Sequence, residues 1–180
     1  MKKFIVLLAA AFLALTQAQG TTTSTATCQP QNETSVRGLF NLWNNALATL
    51  NSTTVASRYA RKAVLLPTVS DTPRNNGTLI VSYFDDFLKK KPQGVILSGD
   101  ITMGCNWAQD AGIYEFTMGA DGSKVKARYS YVYVWEDGTW KISHHHSSVM
   151  PEGFLKGASS SACFLKISFL MIAGLVALFF

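Results

Sequence analysis

The segment that decides the fold is Lys124–Pro151, which reads KVKARYSYVYVWEDGTWKISHHHSSVMP. Val125–Trp135 is rich in β-branched and aromatic residues, a composition typical of strands. The EDG sequence at 136–138 supplies a turn, because Gly138 takes a positive φ without steric penalty. Trp140–Ser148 is predicted to return as a second strand. The segment therefore predicts a long β-hairpin.

The period of two along a strand sorts the side chains of this hairpin onto two faces. We expect His144 and His146 to share one face, which either packs under the helices or lines a pocket, with His145 on the other face, pointing outward. Arg128 shares a face with Ser130 on the first strand. A buried guanidinium there would need a carboxylate or an anionic ligand. The alternative is an arginine that reaches out to solvent.

The opposite face of the first strand carries four aromatic side chains. So much apolar area is rarely left exposed on a soluble monomer. The face is therefore either core or a subunit interface, and the interface residues it predicts are Tyr129, Tyr131, Tyr133 and Trp135.

Metal and nucleotide sites receive little support. His144 and His146 lie about 6.6 Å apart along a strand, but zinc takes three or four ligands and the sequence holds no second cluster. No GxSxG, GxGxxG, P-loop or EF-hand pattern occurs. We expect no metal and no cofactor.

Both ends of the chain have the character of targeting segments. Residues 1–20 combine two lysines, an apolar run and a small-residue exit, which predicts a secretory signal peptide cut after Ala18 or Gly20. Residues 21–30 are a Thr/Ser-rich, flexible arm. Residues 153–180 hold small residues, a spacer and a terminal apolar run, which favours a glycolipid (GPI) anchor signal. A tail anchor in the membrane is the alternative.

Removal of these ends changes the charge of the protein. The whole chain carries +5. Lys2, Lys3 and Lys166 leave with the ends, so 13 basic residues remain against 11 acidic ones, a net charge of +2. A charge this small gives no support to a nucleic-acid partner.

Cysteines and sequons agree with a secretory route. Loss of the tail removes Cys163 and leaves Cys28 and Cys105, a possible disulfide in an oxidising compartment. Three N-x-S/T motifs predict glycosylation sites, at Asn32, Asn51 and Asn76.

The rest of the chain is predicted to form three helices followed by antiparallel strands. A first helix is capped by Thr34 or Ser35, and its apolar residues recur at three- and four-residue steps to give one broad apolar face that includes Trp43. A second helix begins near 52–54 and runs through Ala63 into a brief strand at 63–66, and a third is capped by Thr78. Strand-like runs follow at 95–103 and 107–118. This order predicts an α+β domain over residues 31–152.

Three stretches carry a resemblance to a known family. LFNLWNNAL (39–47), RYARKAVLLPTVS (58–70) and GTWKISHHHSS (138–148) resemble the calcium/calmodulin-dependent protein kinase II association-domain family, within the NTF2-like (SnoaL-like) superfamily. The resemblance implies a cone in which three N-terminal helices pack in a strongly curved antiparallel sheet. It also implies a basic internal pocket and oligomerisation through sheet faces.

Residue roles follow from this resemblance. The ligand-binding set is Arg128, Ser130, Trp43, His144 and His146. The function predicted first is a secreted or surface-tethered module that oligomerises with itself and binds a small anionic molecule. It is held at the membrane by its tail or a lipid anchor, and no kinase activity is expected in this chain.

The resemblance also implies an alternative. Enzymes of the wider superfamily, of the ketosteroid isomerase and polyketide cyclase types, use an Asp or His base in the same pocket. The chain would then be an isomerase, cyclase or dehydratase, with His144, His146 or Asp110 as the candidate catalytic group.

Overall fold

The computed structural model describes residues 27–68 and 70–152. The predicted signal peptide, most of the arm and the tail from 153 onward lie outside these residues. In chain order the elements are α1 (Glu33–Ala48), α2 (Ser52–Ala56), β1 (Tyr59–Leu66), α3 (Gly77–Phe87) with a 3-10 turn (Leu88–Lys90), β2 (Pro92–Gly104), β3 (Trp107–Met118), β4 (Lys124–Glu136) and β5 (Thr139–Val149). In the described part of the chain, no helix has the length and apolar character to cross a membrane.

All three α-helices are capped by an asparagine, where the sequence analysis placed serine or threonine. The side chains of Asn32, Asn51 and Asn76 accept hydrogen bonds from backbone N–H groups at the starts of α1, α2 and α3. Asparagine ranks with aspartate and serine as the best N-cap residue. The second helix is also shorter than predicted, because β1 already begins at Tyr59.

The five strands form one sheet in the order β1-β5-β4-β3-β2. The pairs from β2 to β5 are antiparallel, but β1 pairs with β5 in parallel, which corrects the expectation of a wholly antiparallel sheet. The predicted β4–β5 hairpin is confirmed. Its tight turn uses the left-handed backbone of Asp137 (φ 51°) and Gly138 (φ 75°).

The core lies between the helices and the inner face of the sheet, and Trp43 of α1 is at its centre. The indole is buried and makes edge contacts with Phe84 of α3, Phe116 of β3 and Tyr131 of β4. Trp43 therefore touches helix and sheet at once. The predicted α+β fold, with helices packed in a curved sheet, is confirmed.

A disulfide fixes the chain before α1. Cys28 and Cys105 are bonded, with Cα atoms 4.8 Å apart, which joins the arm to the turn between β2 and β3. Asn106 in the same turn accepts from the Gln29 N–H and donates to the Thr27 carbonyl. A bond closing a 77-residue separation contributes about 4 kcal/mol in the chain-entropy model.

Candidate functional site

A β-bulge in β5 decides which histidine enters the fold. Tyr133 pairs with Ile142, but Val132 pairs with His144, so Ser143 is an extra residue in the strand. A single inserted residue moves all later side chains to the other face. His145 consequently points into the core and is 4% exposed. The prediction that it points outward is wrong.

His144 and His146 lie on the outer face of the sheet. They pair with Val132 and Ser130 of β4 and are partly exposed. Arg128 lies on the same outer face, where it is exposed and its Nε donates to the Ser148 hydroxyl at 3.1 Å. Arg128, Ser130 and the two histidines therefore lie together, but outside the cone.

The predicted ligand set is thus divided between two surfaces. Trp43 lies in the core and forms part of a cavity wall, whereas Arg128, Ser130, His144 and His146 do not line that cavity. The placement of all five in one internal pocket is wrong. The predicted set is divided because the bulge on β5 turns His144 and His146 outward and because Arg128 lies at an outward-facing position of β4.

The tyrosines assigned to an interface belong to the core. Tyr129, Tyr131 and Tyr133 are at most 2% exposed and point inward under α1, so no other chain reaches them. Trp135 is partly buried against Trp140. The interface assignment is therefore wrong for the three tyrosines, and the core alternative is right for them.

An internal cavity of about 130 Å³ lies between α3 and the inner face of the sheet. Aromatic and aliphatic side chains make up most of its wall. The polar groups on it are few, and Lys90 and Val125 are exposed at its rim. The lining residues are Trp43, Leu65, Pro67, Thr68, Tyr83, Phe84, Phe87, Lys90, Tyr114, Phe116, Met118, Val125, Ala127, His145 and Ser147.

A chain of hydrogen bonds favours one tautomer of His145. Trp43 Nε1 donates to the Tyr59 hydroxyl at 3.2 Å, and that hydroxyl lies 2.9 Å from His145 Nδ1. Because an indole can only donate, the arrangement that leaves no hydroxyl proton unpaired has Tyr59 donating to Nδ1. The ring proton of His145 is then on Nε2.

His145 is held neutral and has an unused donor. Burial, followed by the neighbouring His144 and His146, lowers its pKa from 6.5 to about 3. Among the described residues, Nε2 is one of five buried polar side-chain atoms without a hydrogen-bond partner. A buried donor left unpaired costs about 1–3 kcal/mol. With its Nδ1 occupied and Nε2 protonated, this imidazole is built to donate, not to accept a proton.

Hydroxyl groups line another part of the cavity wall. Tyr114 donates to the Ser147 hydroxyl, which also bonds to the hydroxyl of Thr68. Burial raises the pKa of Tyr114, so the phenol stays protonated. These three hydroxyls satisfy one another, whereas His145 Nε2 has no such partner.

A second buried polar cluster joins α1 to the sheet. Asp110 of β3 is 0% exposed. Arg37 Nη1 lies 2.8 Å from both of its carboxylate oxygens, and the Tyr129 hydroxyl donates to Oδ1 at 2.8 Å. Arg37 Nη2 donates to the Gly99 carbonyl at 2.9 Å. Each group therefore holds the next in place.

Gly99 leaves the space that this cluster needs. A Cβ atom on Gly99 would lie 2.2 Å from the Tyr129 hydroxyl and 2.8 Å from both Arg37 Nη1 and Asp110 Oδ1. Burial raises the pKa of Asp110, and the contacts with Tyr129 and Arg37 oppose that shift. Asp110, named as a candidate catalytic base, thus forms a structural ion pair with Arg37 of α1.

Sequence patterns identified neither Arg37 as the partner of Asp110 nor His145 as an inward residue. Asp110 points to the inner face of β3, as do Ala108 and Phe116. A carboxylate among apolar side chains on a buried face indicates a buried cationic partner, which is Arg37 in the structure. No sequence signal marks the bulge that turns His145 inward. Within 27–68 and 70–152, no three His, Cys, Asp or Glu side chains gather as metal ligands.

Comparison with known proteins gives one family and one fold. The family described as calcium/calmodulin dependent protein kinase II association domain matches residues 32–151. A solved structure, a putative association domain of this kind from Xanthomonas campestris, is 43% identical. The match covers 71% of this chain and 97% of that chain, with a TM-score of 0.64. No protein of curated function matches the chain.

More distant structures share the fold alone. An NTF2-like protein of unknown function from Pseudomonas putida KT2440 is 13% identical over 68% of this chain and 89% of its own, with a TM-score of 0.58. A putative association domain from Thiobacillus denitrificans is 12% identical over 62% of this chain and 92% of its own, with a TM-score of 0.52.

Proposed function

Because the chain belongs to the calcium/calmodulin-dependent protein kinase II association domain family, as its sequence predicted, we propose that it is a self-associating module that pairs through the outer face of its sheet. The described helices all pack on the inner face. The single observation that supports this proposal is the uncharged centre of the opposite face.

The outer sheet face consists of side chains that point away from the helices, in register across β1, β5, β4 and β3. It mixes aliphatic, small and imidazole groups in two central rows of paired residues. Lys141 and Arg128 lie in the rows on either side, and Asp100 of β2 pairs with Ala111 at one end. Homodimer interfaces have such uncharged centres, and a two-fold axis would bring the same patch of both copies together. The central residues are Val64, Leu66, Ala111, Ser130, Val132, His144 and His146.

Self-association is testable with one substitution on this face. The purified protein is expected to be an oligomer in sedimentation velocity, and Val132→Glu is expected to release monomers, because two carboxylates would meet near the symmetry axis. Leu42→Glu is the matched control, since Leu42 is an exposed apolar residue of α1. A monomeric wild type, or a Val132→Glu protein that stays assembled, would contradict the proposal.

The internal cavity favours a second role, the binding of a small molecule. It is partly enclosed by aromatic side chains and has a buried polar group without a partner. Pockets of this kind are the usual sites for small ligands. The anionic ligand expected from the sequence loses its main support, because Arg128 is exposed on the outer sheet face.

The secretory location remains part of the proposal. A disulfide persists in oxidising compartments and is rare in the cytosol, so the Cys28–Cys105 bond supports export. We place the domain at the cell surface, held by the segment 153–180 as a lipid-anchor signal or a tail anchor.

Glycosylation at the three sequons is compatible with the helix caps. The capping atom of each asparagine is Oδ1, for example Asn76 Oδ1, which accepts from Leu79 N at 3.0 Å. A glycan is attached to the amide nitrogen and leaves this oxygen in place. Asn32, Asn51 and Asn76 precede helices and are not on strands. Glycans there would leave the outer sheet face uncovered.

Substitutions at Asn76 and Thr78 separate glycosylation from helix capping. In a glycosylating host, the wild-type protein is expected to lose mass on glycosidase treatment. Thr78→Ala and Asn76→Asp should each lose one glycan but keep the cap oxygen. Asn76→Ala should lose the glycan and, in the unglycosylated protein, about 1 kcal/mol of unfolding free energy. A wild type unchanged by the glycosidase would contradict the proposal.

A further inference from the structure

The cavity is the size of a single aromatic ring. Its volume of about 130 Å³ is close to that of an apolar protein cavity of roughly 150 Å³ that binds benzene. Tyr83, Phe84, Phe87 and Phe116 line it. A flat ring would gain edge or stacked contacts with these side chains.

The charge inside the cavity is unsuited to an anion. Of the described residues that line it, Lys90 alone carries a formal charge, and its side chain is at the exposed rim. A carboxylate deep in the cavity would lose its hydration, because the one ammonium group among the described lining residues, that of Lys90, is at the rim. His145 is neutral and Tyr114 is protonated. The interior therefore favours an uncharged ligand.

One buried donor without a partner belongs to a residue of the cavity wall. The bonds from Trp43 through Tyr59 to His145 Nδ1 leave the ring proton on Nε2. Of the five unpartnered buried polar atoms in the described part of the chain, only this one belongs to a residue that lines the cavity. Nε2 has almost no accessible surface, so a ligand acceptor would supply its missing bond after a small movement of the surrounding side chains.

We propose that the cavity binds a neutral molecule about the size of one aromatic ring, with a carbonyl or similar acceptor that pairs with His145 Nε2–H. This inference rests on the proposed role of the cavity as a small-molecule site and adds the class of ligand. His145 is a binding residue here, and no proton transfer is required of it.

Three probes of matched shape test the proposal on the purified full chain. Acetophenone carries a neutral acceptor, benzoate replaces it by a charge, and cumene has no polar group. By ligand-observed NMR titration, acetophenone should bind and benzoate should bind more weakly. His145→Phe should weaken acetophenone binding about fivefold without weakening cumene binding. Leu42→Phe, at an exposed position of α1 away from the cavity and from the outer sheet face, should alter neither.

Long-range ¹H–¹⁵N spectra of the wild-type protein provide a readout that needs no variant. They should show the His145 proton on Nε2, and acetophenone should shift this nitrogen more than cumene does. Tighter binding of benzoate than of acetophenone, or a proton on Nδ1, would overturn the assigned ligand class while leaving the cavity a binding site. Failure of all three probes to bind would instead overturn the small-molecule role itself.

Discussion

Arg37→Leu is expected to lower the free energy of unfolding by about 3 kcal/mol at neutral pH, the lower end of the range for a broken buried ion pair. The lower end applies because the Arg37 side chain is 34% exposed. Asp110 is fully buried and would keep only the Tyr129 hydroxyl as a partner for its charge. Urea unfolding of the two proteins measures the difference.

The loss from Arg37→Leu should depend on pH. Burial already raises the pKa of Asp110, and removal of the guanidinium, which lowers it, raises that pKa further. A carboxyl group whose pKa is higher in the folded state binds more protons there. The variant's deficit should therefore grow as pH rises through the folded pKa of Asp110 in the wild type, which lies above the unfolded value of about 4, and shrink in acid.

Two further variants make this result specific to the ion pair. Adding Asp110→Asn to Arg37→Leu should recover part of the lost stability, because no charge is then buried. Lys89→Leu should change stability little, since its ion pair with Asp86 is on the solvent-exposed surface. Equal deficits for Arg37→Leu at pH 4 and pH 8 would show that lost packing, and not the buried carboxylate, is the cause.

Acid is expected to unfold the domain largely through His145. Its pKa is about 3 in the folded protein, against 6.5 ordinarily. The folded state therefore binds fewer protons, so this contribution is intact above pH 6.5 and is lost as pH falls towards 3. At about 1.4 kcal/mol per unit, the loss is about 2 kcal/mol by pH 5 and about 4 kcal/mol by pH 3.

The contribution of His145 is measured as a difference between proteins. Urea unfolding from pH 7 to pH 4 should show a shallower decline in stability for His145→Gln than for the wild type, because the variant has no group to protonate at this site. His144→Gln should retain most of the wild-type slope, since His144 is on the outer face and only partly buried. Identical slopes for His145→Gln and the wild type would refute the prediction.

Strand composition and turn chemistry were enough to predict the hairpin and its aromatic side. The β-branched and aromatic run of Val125–Trp135 and the DG pair at 137–138 are local signals. They correspond to β4, β5 and the turn in the structure. The apolar spacing around Trp43 likewise predicted the core face of α1. The three stretches of family resemblance then predicted the curved sheet.

The inward histidine could not be read from the sequence, because strict alternation from Ile142 assigns His144 and His146 to its face. The pairing of β5 with β4 depends on contacts throughout the sheet, and in that pairing Ser143 is an extra residue on β5. An alternation pattern contains no information on such an insertion.

The amino-acid sequence by itself determined the class of fold, the hairpin, the cysteine pair and the helical face of Trp43, because short-range periodicity and composition carry these features. Only the tertiary structure decided that His145 enters the cavity, that Arg128 stays outside, and that Arg37 meets Asp110. These placements depend on strand register and on contacts between residues far apart in the chain, and no local pattern encodes them.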